Sequence, residues 1–129
     1  MGNIKVKSTR LYGAFGEDCA AKHLEEKGFA ILCRNYCIKG GEIDIIATKG
    51  DKIYFVEVKA RQISSGERPM EAVDETKRKR LSFSAEKFLE EYRDNAYVSA
   101  LTPQLCVVEI YTDSKSNAVK YGLFFDTLY

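Results

Sequence analysis

Between Leu11 and Lys27, Glu17, Ala20, Ala21 and Leu24 recur at i, i+3, i+4 and i+7, the period of an amphipathic helix with a narrow inner stripe. The helix is predicted to stop at Gly28, a residue suited to the left-handed cap. Glu17 is the anomaly, because it lies on the apolar stripe while Lys22, Glu25 and Glu26 occupy the solvated face. Phe29 to Tyr36 reads as a short strand, Lys39-Gly40-Gly41 as a turn, and Glu42 to Ala47 and Lys52 to Ala60 as a hairpin. A loop from Arg61 to Pro69, containing Ser64-Ser65-Gly66, leads into a long helix predicted over Met70 to Tyr92. Leu81, Ala85, Phe88, Leu89 and Tyr92 form its apolar stripe, and extending that stripe backwards makes Lys77 point inward or toward a cleft. Asn95 to Pro103 reads as irregular. Leu105 to Thr112 and Val119 to Phe125 are predicted strands on either side of a turn at Ser114 to Asn117. The order helix, three strands, helix, strand, strand implies an α/β domain around one sheet.

The hairpin carries charge where its pattern is most apolar. Side chains alternate along a strand, so Glu42 and Asp44 share a face, as do Glu57 and Lys59. A hairpin loop over Lys49 to Lys52 pairs Thr48 with Ile53, which sets Asp44 opposite Glu57 and Glu42 opposite Lys59. Opposed residues have Cβ atoms ~5 Å apart, close enough for one cation to join two carboxylates. Without a cation the two acids repel, and one tends to hold a proton. Carboxylate oxygens are hard ligands suited to Mg²⁺ or Mn²⁺, which leave positions open for phosphate oxygens and water. Asp44 and Glu57 are therefore the expected metal ligands, with Lys59 placed to hold an attacking water or to stabilise developing charge. The competing reading is a solvated sheet face, on which Glu57 and Lys59 form ordinary surface pairs with Lys52 or Glu42.

Composition narrows the classes. The chain has 129 residues, 45% hydrophobic and 30% charged, which fits one soluble globular domain with residues 1–10 as a flexible N-terminal segment. Its net charge of +1 excludes a global attraction to polyanions, so any nucleic-acid surface must be a local patch. The polar, basic start from Met1 to Arg10 has no signal-peptide core, and the expected compartment is the cytoplasm. Cys19-x3-His23 and Cys33-x3-Cys37 lack the tight C-x2-C spacing of a zinc site, and buried thiols are ordinary core residues. The lone His23 has no evident Ser or Cys partner for a triad.

Gly13-x2-Gly16-Glu17-x2-Ala20-x3-Leu24-x3-Gly28, then Arg34-Asn35-Tyr36, Gly41-Glu42-Ile43-Asp44 and Phe55-Val56-Glu57-Val58-Lys59-x-Arg61, together resemble the YraN-like family. That family is placed in the PD-(D/E)XK nuclease superfamily, related in fold to Holliday junction resolvases, and the likeness runs from about Leu11 to Ile110. The resemblance implies a single restriction-endonuclease-like domain with an αβββαβ core and a mixed central sheet. It implies Asp44 and Glu57 as metal ligands, Lys59 as the catalytic lysine, and Glu17 as an additional acid of the metal site. Two departures stand out: Ala60 replaces the usual Thr, and Gln104-Leu105-Cys106 replaces Arg-Phe-Asp.

The expected function is a Mg²⁺- or Mn²⁺-dependent endonuclease-like protein hydrolysing phosphodiester bonds of DNA, branched or structured DNA included. RNA stays open, and a homodimer is a candidate assembly. The alternative is a non-catalytic nucleic-acid-binding or adaptor module that keeps the nuclease fold. Four consecutive bases, Lys77 to Arg80, point in different directions on a helix, so only Lys77 is expected to face the site. Lys77, Arg61 and Arg68 are the expected nucleic-acid contacts, Lys77 binding a phosphate or pairing with an acid of the site.

Overall fold

The computed structural model describes residues 11–63, 75–113 and 119–128. Its elements are α1 (Leu11–Glu26), β1 (Ala30–Ile38), β2 (Gly41–Lys49), β3 (Lys52–Ile63), α2 (Glu75–Glu91), α3 (Ala96–Ser99), β4 (Thr102–Asp113) and β5 (Val119–Thr127). The expected α/β architecture is present: one five-stranded sheet in the order β1-β2-β3-β4-β5. Neighbours are antiparallel except β3 and β4, whose parallel pairing requires the crossover that α2 supplies.

Helices cover both faces. On one, Ala20, Ala21 and Leu24 of α1 pack over Ile45, Ala47, Val56, Cys106 and Val108. On the other, Leu81, Ala85 and Phe88 of α2 pack with Val98 of α3 over Ile46, Ile53, Phe55 and Leu105. The period-2 alternation of β3 sends Ile53 and Phe55 to the α2 side and Tyr54, Val56 and Val58 to the α1 side. The small stripe of α1 lets its backbone approach the sheet. A Cβ on Gly16 would sit 3.5 Å from the Cβ of Ala60. Cys106, fully buried, packs as a small apolar residue in the α1-side core.

Three details differ from the sequence pattern. Lys49 pairs with Lys52, so the β2–β3 loop is two residues shorter than expected, with Gly50 at φ 61°. Asn95 to Pro103 is not wholly irregular: the Asn95 side chain accepts from Val98 N and caps α3, and Pro103 already lies in β4. Pro103 is tolerated because it precedes the β5 ladder, which begins at the Gln104–Thr127 pair. The third difference is a crease. Cys33 and Tyr36 both face α2, as do Ile43 and Ile46, whereas regular alternation would put each pair on opposite faces. Asn35, at φ 53°, absorbs the change of face; Asn tolerates this left-handed conformation better than most residues. The Ser64-Ser65-Gly66 loop, Arg68, the start of the helix at Met70, the turn at Ser114 to Asn117 and residues 1–10 lie outside the described residues.

Candidate active site

The crease decides which acids meet. The register expected of the hairpin is present, with Thr48 against Ile53 and Ile45 against Val56. Continued regularly, it would turn Asp44 to the α2 side beside Glu57. Instead Asp44 turns to the α1 side, and its Oδ2 accepts the backbone N–H of Val58 at 2.8 Å. There Glu17, Glu42 and Asp44 each offer a ligand atom, all within 4.8 Å of one another. Among the described residues this is the one group of three or more acidic, His or Cys side chains so arranged.

The trio is electrostatically uncomfortable without a cation. Burial pushes the Asp44 carboxyl up to about 7, and the charges of Glu17, Glu42 and Glu57 push it the same way, against the Val58 hydrogen bond. Burial also raises Glu17, opposed by a hydrogen bond from the Asn35 side chain and by the Arg34 charge. Glu17 is only 7% exposed, and its Oε1 has no hydrogen-bond partner. Arg34 lies 3.9 Å from that oxygen and makes its close pair, 2.7 Å, with Asp18. A buried carboxylate oxygen left open toward two other acids fits a hard divalent cation. Two oxygens on one Mg²⁺ lie no more than about 4.2 Å apart, and Ca²⁺-sized ions allow about 5 Å. The trio is thus within a small side-chain movement of ligation.

Glu57 is not part of this trio. It faces α2, where Lys77 Nζ lies 3.2 Å from Oε2 and Arg80 donates to Oε1 at 3.0 Å. Lys77 does point inward, and pairs with an acid of the site as one of its two expected roles. Arg80 was missed, although its i+3 spacing from Lys77 puts it on the same helix face. Arg78, one of the two intervening bases, pairs with Asp126 of β5 at 2.7 Å. Lys59 is exposed near the far end of β3, beside the buried Glu109 of β4 in the parallel register. Arg61 follows in the same strand, and its side chain lies outside the described residues, as does all of Arg68.

Glu42 is legible in the sequence as the same-face neighbour of Asp44, although regular pairing sets it opposite Lys59. The crease places it against Glu17 instead, with Cys37 Sγ 3.9 Å from its Oε2. Asn35 gave no sequence signal beyond its tolerance of positive φ. His23 stacks on Tyr121, with ring centroids 4.1 Å apart, and burial lowers its pKa; this is a packing role.

The model of the uncharacterised protein family UPF0102 matches residues 16–110, a span holding Glu17, Glu42, Asp44, Glu57 and Lys59. A UPF0102 protein of Syntrophus aciditrophicus is 39% identical over 109 residues, covering 79% of this chain and 86% of the relative. One from Chlorobaculum tepidum is 36% identical over 104 residues, covering 81% and 80%. One from Dictyoglomus thermophilum is 47% identical over 77 residues, covering 60% of this chain and 65% of the relative. No helix among the described residues is long and apolar enough to cross a membrane.

Proposed function

We propose that this chain, which belongs to the UPF0102 (YraN) family, is a Mg²⁺- or Mn²⁺-dependent phosphodiesterase acting on DNA. The observation that carries the reading is the Glu17–Glu42–Asp44 cluster, with a buried, unpartnered oxygen on Glu17 and an Asp44 proton held to about pH 7. A buried, a half-buried and an exposed acid facing one another serve no packing purpose, and a divalent cation removes their repulsion. Glu17, Glu42 and Asp44 would hold that ion, with Glu57 a further acid whose charge bears on Asp44. When bound, such an ion acidifies a water and stabilises charge on a phosphate.

The chain's own groups supply the remaining requirements. Asp44 must release its proton before it can ligate, so occupancy is favoured above about pH 7. The Val58 N–H fixes one Asp44 oxygen and the Asn35 side chain fixes the Glu17 carboxyl, which limits how far the acids reorient. Lys59 leaves the same strand two residues beyond Glu57, and its ammonium would orient a water or stabilise a phosphate oxygen in the transition state. Lys77 and Arg80 add positive charge on the α2 side of the site. DNA, including branched DNA, is the proposed partner, and a homodimer its proposed assembly on symmetric junctions.

The test is cleavage of plasmid and four-way-junction DNA with Mn²⁺ by wild type, Asp44→Asn and Lys59→Ala. Loss in both variants is expected, with Mn²⁺ binding by calorimetry lost in Asp44→Asn and retained in Lys59→Ala. Equal residual cleavage by all three proteins would identify a contaminant and end the assignment. Mn²⁺ binding and DNA binding without cleavage on any substrate would favour a non-catalytic adaptor.

A further inference from the structure

Lys77 and Arg80 stand three residues apart on α2 and reach the same carboxylate from one helix face. Each Glu57 oxygen has its own cation, Lys77 at 3.2 Å and Arg80 at 3.0 Å. Two non-bridging phosphate oxygens ask for the same arrangement: two charged donors, one aimed at each oxygen. Glu57 also directly precedes Val58, whose N–H is held by Asp44, and its charge already bears on the Asp44 carboxyl. The carboxylate is held on the α2 face by the two cations while its charge still reaches Asp44.

The two cations are not equally fixed. The Lys77 side chain is 14% exposed and Glu57 18%, whereas Arg80 is 59% exposed and screened by water. A pair with one well-solvated member is weak enough to be exchanged for a stronger anion. A phosphate diester in an advancing nucleic-acid backbone is such an anion. It comes with neighbouring phosphates that the other bases of the site can meet.

We propose that Lys77 and Arg80 form a nucleic-acid phosphate site that Glu57 occupies as an internal stand-in until backbone phosphate displaces it. The proposal rests on the reading of the trio as a metal site for nucleic-acid chemistry. It adds a substrate contact, a pair of α2 cations whose two donors match two oxygens of one backbone phosphate. Arg78, paired with Asp126, takes no part.

The experiment separates this from the metal reading by leaving metal out. Binding of a short fluorescein-labelled DNA duplex is followed by anisotropy in EDTA over a range of salt. Glu57→Gln is expected to tighten binding about three- to five-fold, the scale of releasing a partly exposed pair. Glu42→Gln removes an equal charge nearby but faces Cys37 and the trio rather than α2, and is expected to give a smaller gain. Combining Glu57→Gln with Arg80→Ala should abolish the gain and lower the salt slope by about 0.9, one phosphate contact. Melting curves confirm that each variant is folded. Equal gains in the two Gln variants, a gain that survives Arg80→Ala, or no duplex binding by either wild type or Glu57→Gln would overturn the proposal. Failure of the metal reading appears separately, as wild type that binds no Mn²⁺.

Discussion

Asp44→Asn should stabilise the metal-free protein, although it removes a central ligand. Burial and three neighbouring acids push the Asp44 carboxyl from 3.8 to about 7. That interval corresponds to on the order of 4 kcal/mol against the ionised form. Side-chain relaxation and water entry reduce such figures, so about 2 kcal/mol is the working expectation. The sign follows from proton binding. The folded state holds this proton more tightly than the unfolded state, so its contribution is intact below about pH 4, declines as pH rises, and is fully lost above about pH 7. Asn is neutral and still offers an oxygen to the Val58 N–H. An unfolding entropy of roughly 0.3 kcal/mol/K for a chain of this size converts the gain into about 7 °C in Tm at pH 8. At pH 5 only the first third of the interval has been crossed, and the gain shrinks to about 2 °C. The assay is thermal melting by circular dichroism in EDTA at both pH values, repeated with Mn²⁺. Mn²⁺ at about a hundred times its Kd should stabilise wild type by about 2.7 kcal/mol and leave the variant unmoved. A lower Tm for Asp44→Asn at pH 8 in EDTA, or equal gains at the two pH values, would refute the electrostatic account.

The crease gives a second prediction. Asn35→Gly keeps the left-handed backbone and should leave stability within about 1 kcal/mol of wild type, while weakening Mn²⁺ binding several-fold by releasing Glu17; Asn35→Ala should add about 1–2 kcal/mol of strain, read by denaturant unfolding. Unchanged Mn²⁺ affinity in Asn35→Gly would reduce Asn35 to a backbone role. Gly41→Ala would bring a Cβ to 2.5 Å from the buried Ser84 Oγ, so a loss of about 1–3 kcal/mol is expected, and a neutral result would mean that α2 shifts freely over β2. Phe88→Ala empties a fully buried ring that contacts Tyr36, Phe55 and Tyr92, and should cost about 3–5 kcal/mol by urea titration.

Much of the fold was legible because its signals are local. Helical spacing put Glu17, Ala20, Ala21 and Leu24 on the buried face of α1, and Leu81, Ala85 and Phe88 on that of α2. The same spacing turned Lys77 inward, and strand alternation with a turn at Gly50 fixed the β2–β3 register. The chemistry of the site was also local, since acids inside apolar runs announce themselves by the cost of burying them. Which acids share a ligand group was not. Period-2 counting holds only while the strand stays regular; at the crease β1 carries the left-handed Asn35 and β2 changes face between Ile43 and Ile45, so Asp44 lies with Glu17 and Glu42 rather than with Glu57. Asn adopts that conformation only when surrounding contacts hold it there, so no count along β1 or β2 reveals it. Arg80 is the helical counterpart: its face was countable from Lys77, but the docking of α2 on the sheet selected Glu57 as the partner of both. The sequence by itself thus determined the elements, the two buried faces and the stock of carboxylates. Tertiary structure alone decided how those carboxylates divide between a cation and a pair of basic side chains, because that choice depends on through-space distances that no local period encodes.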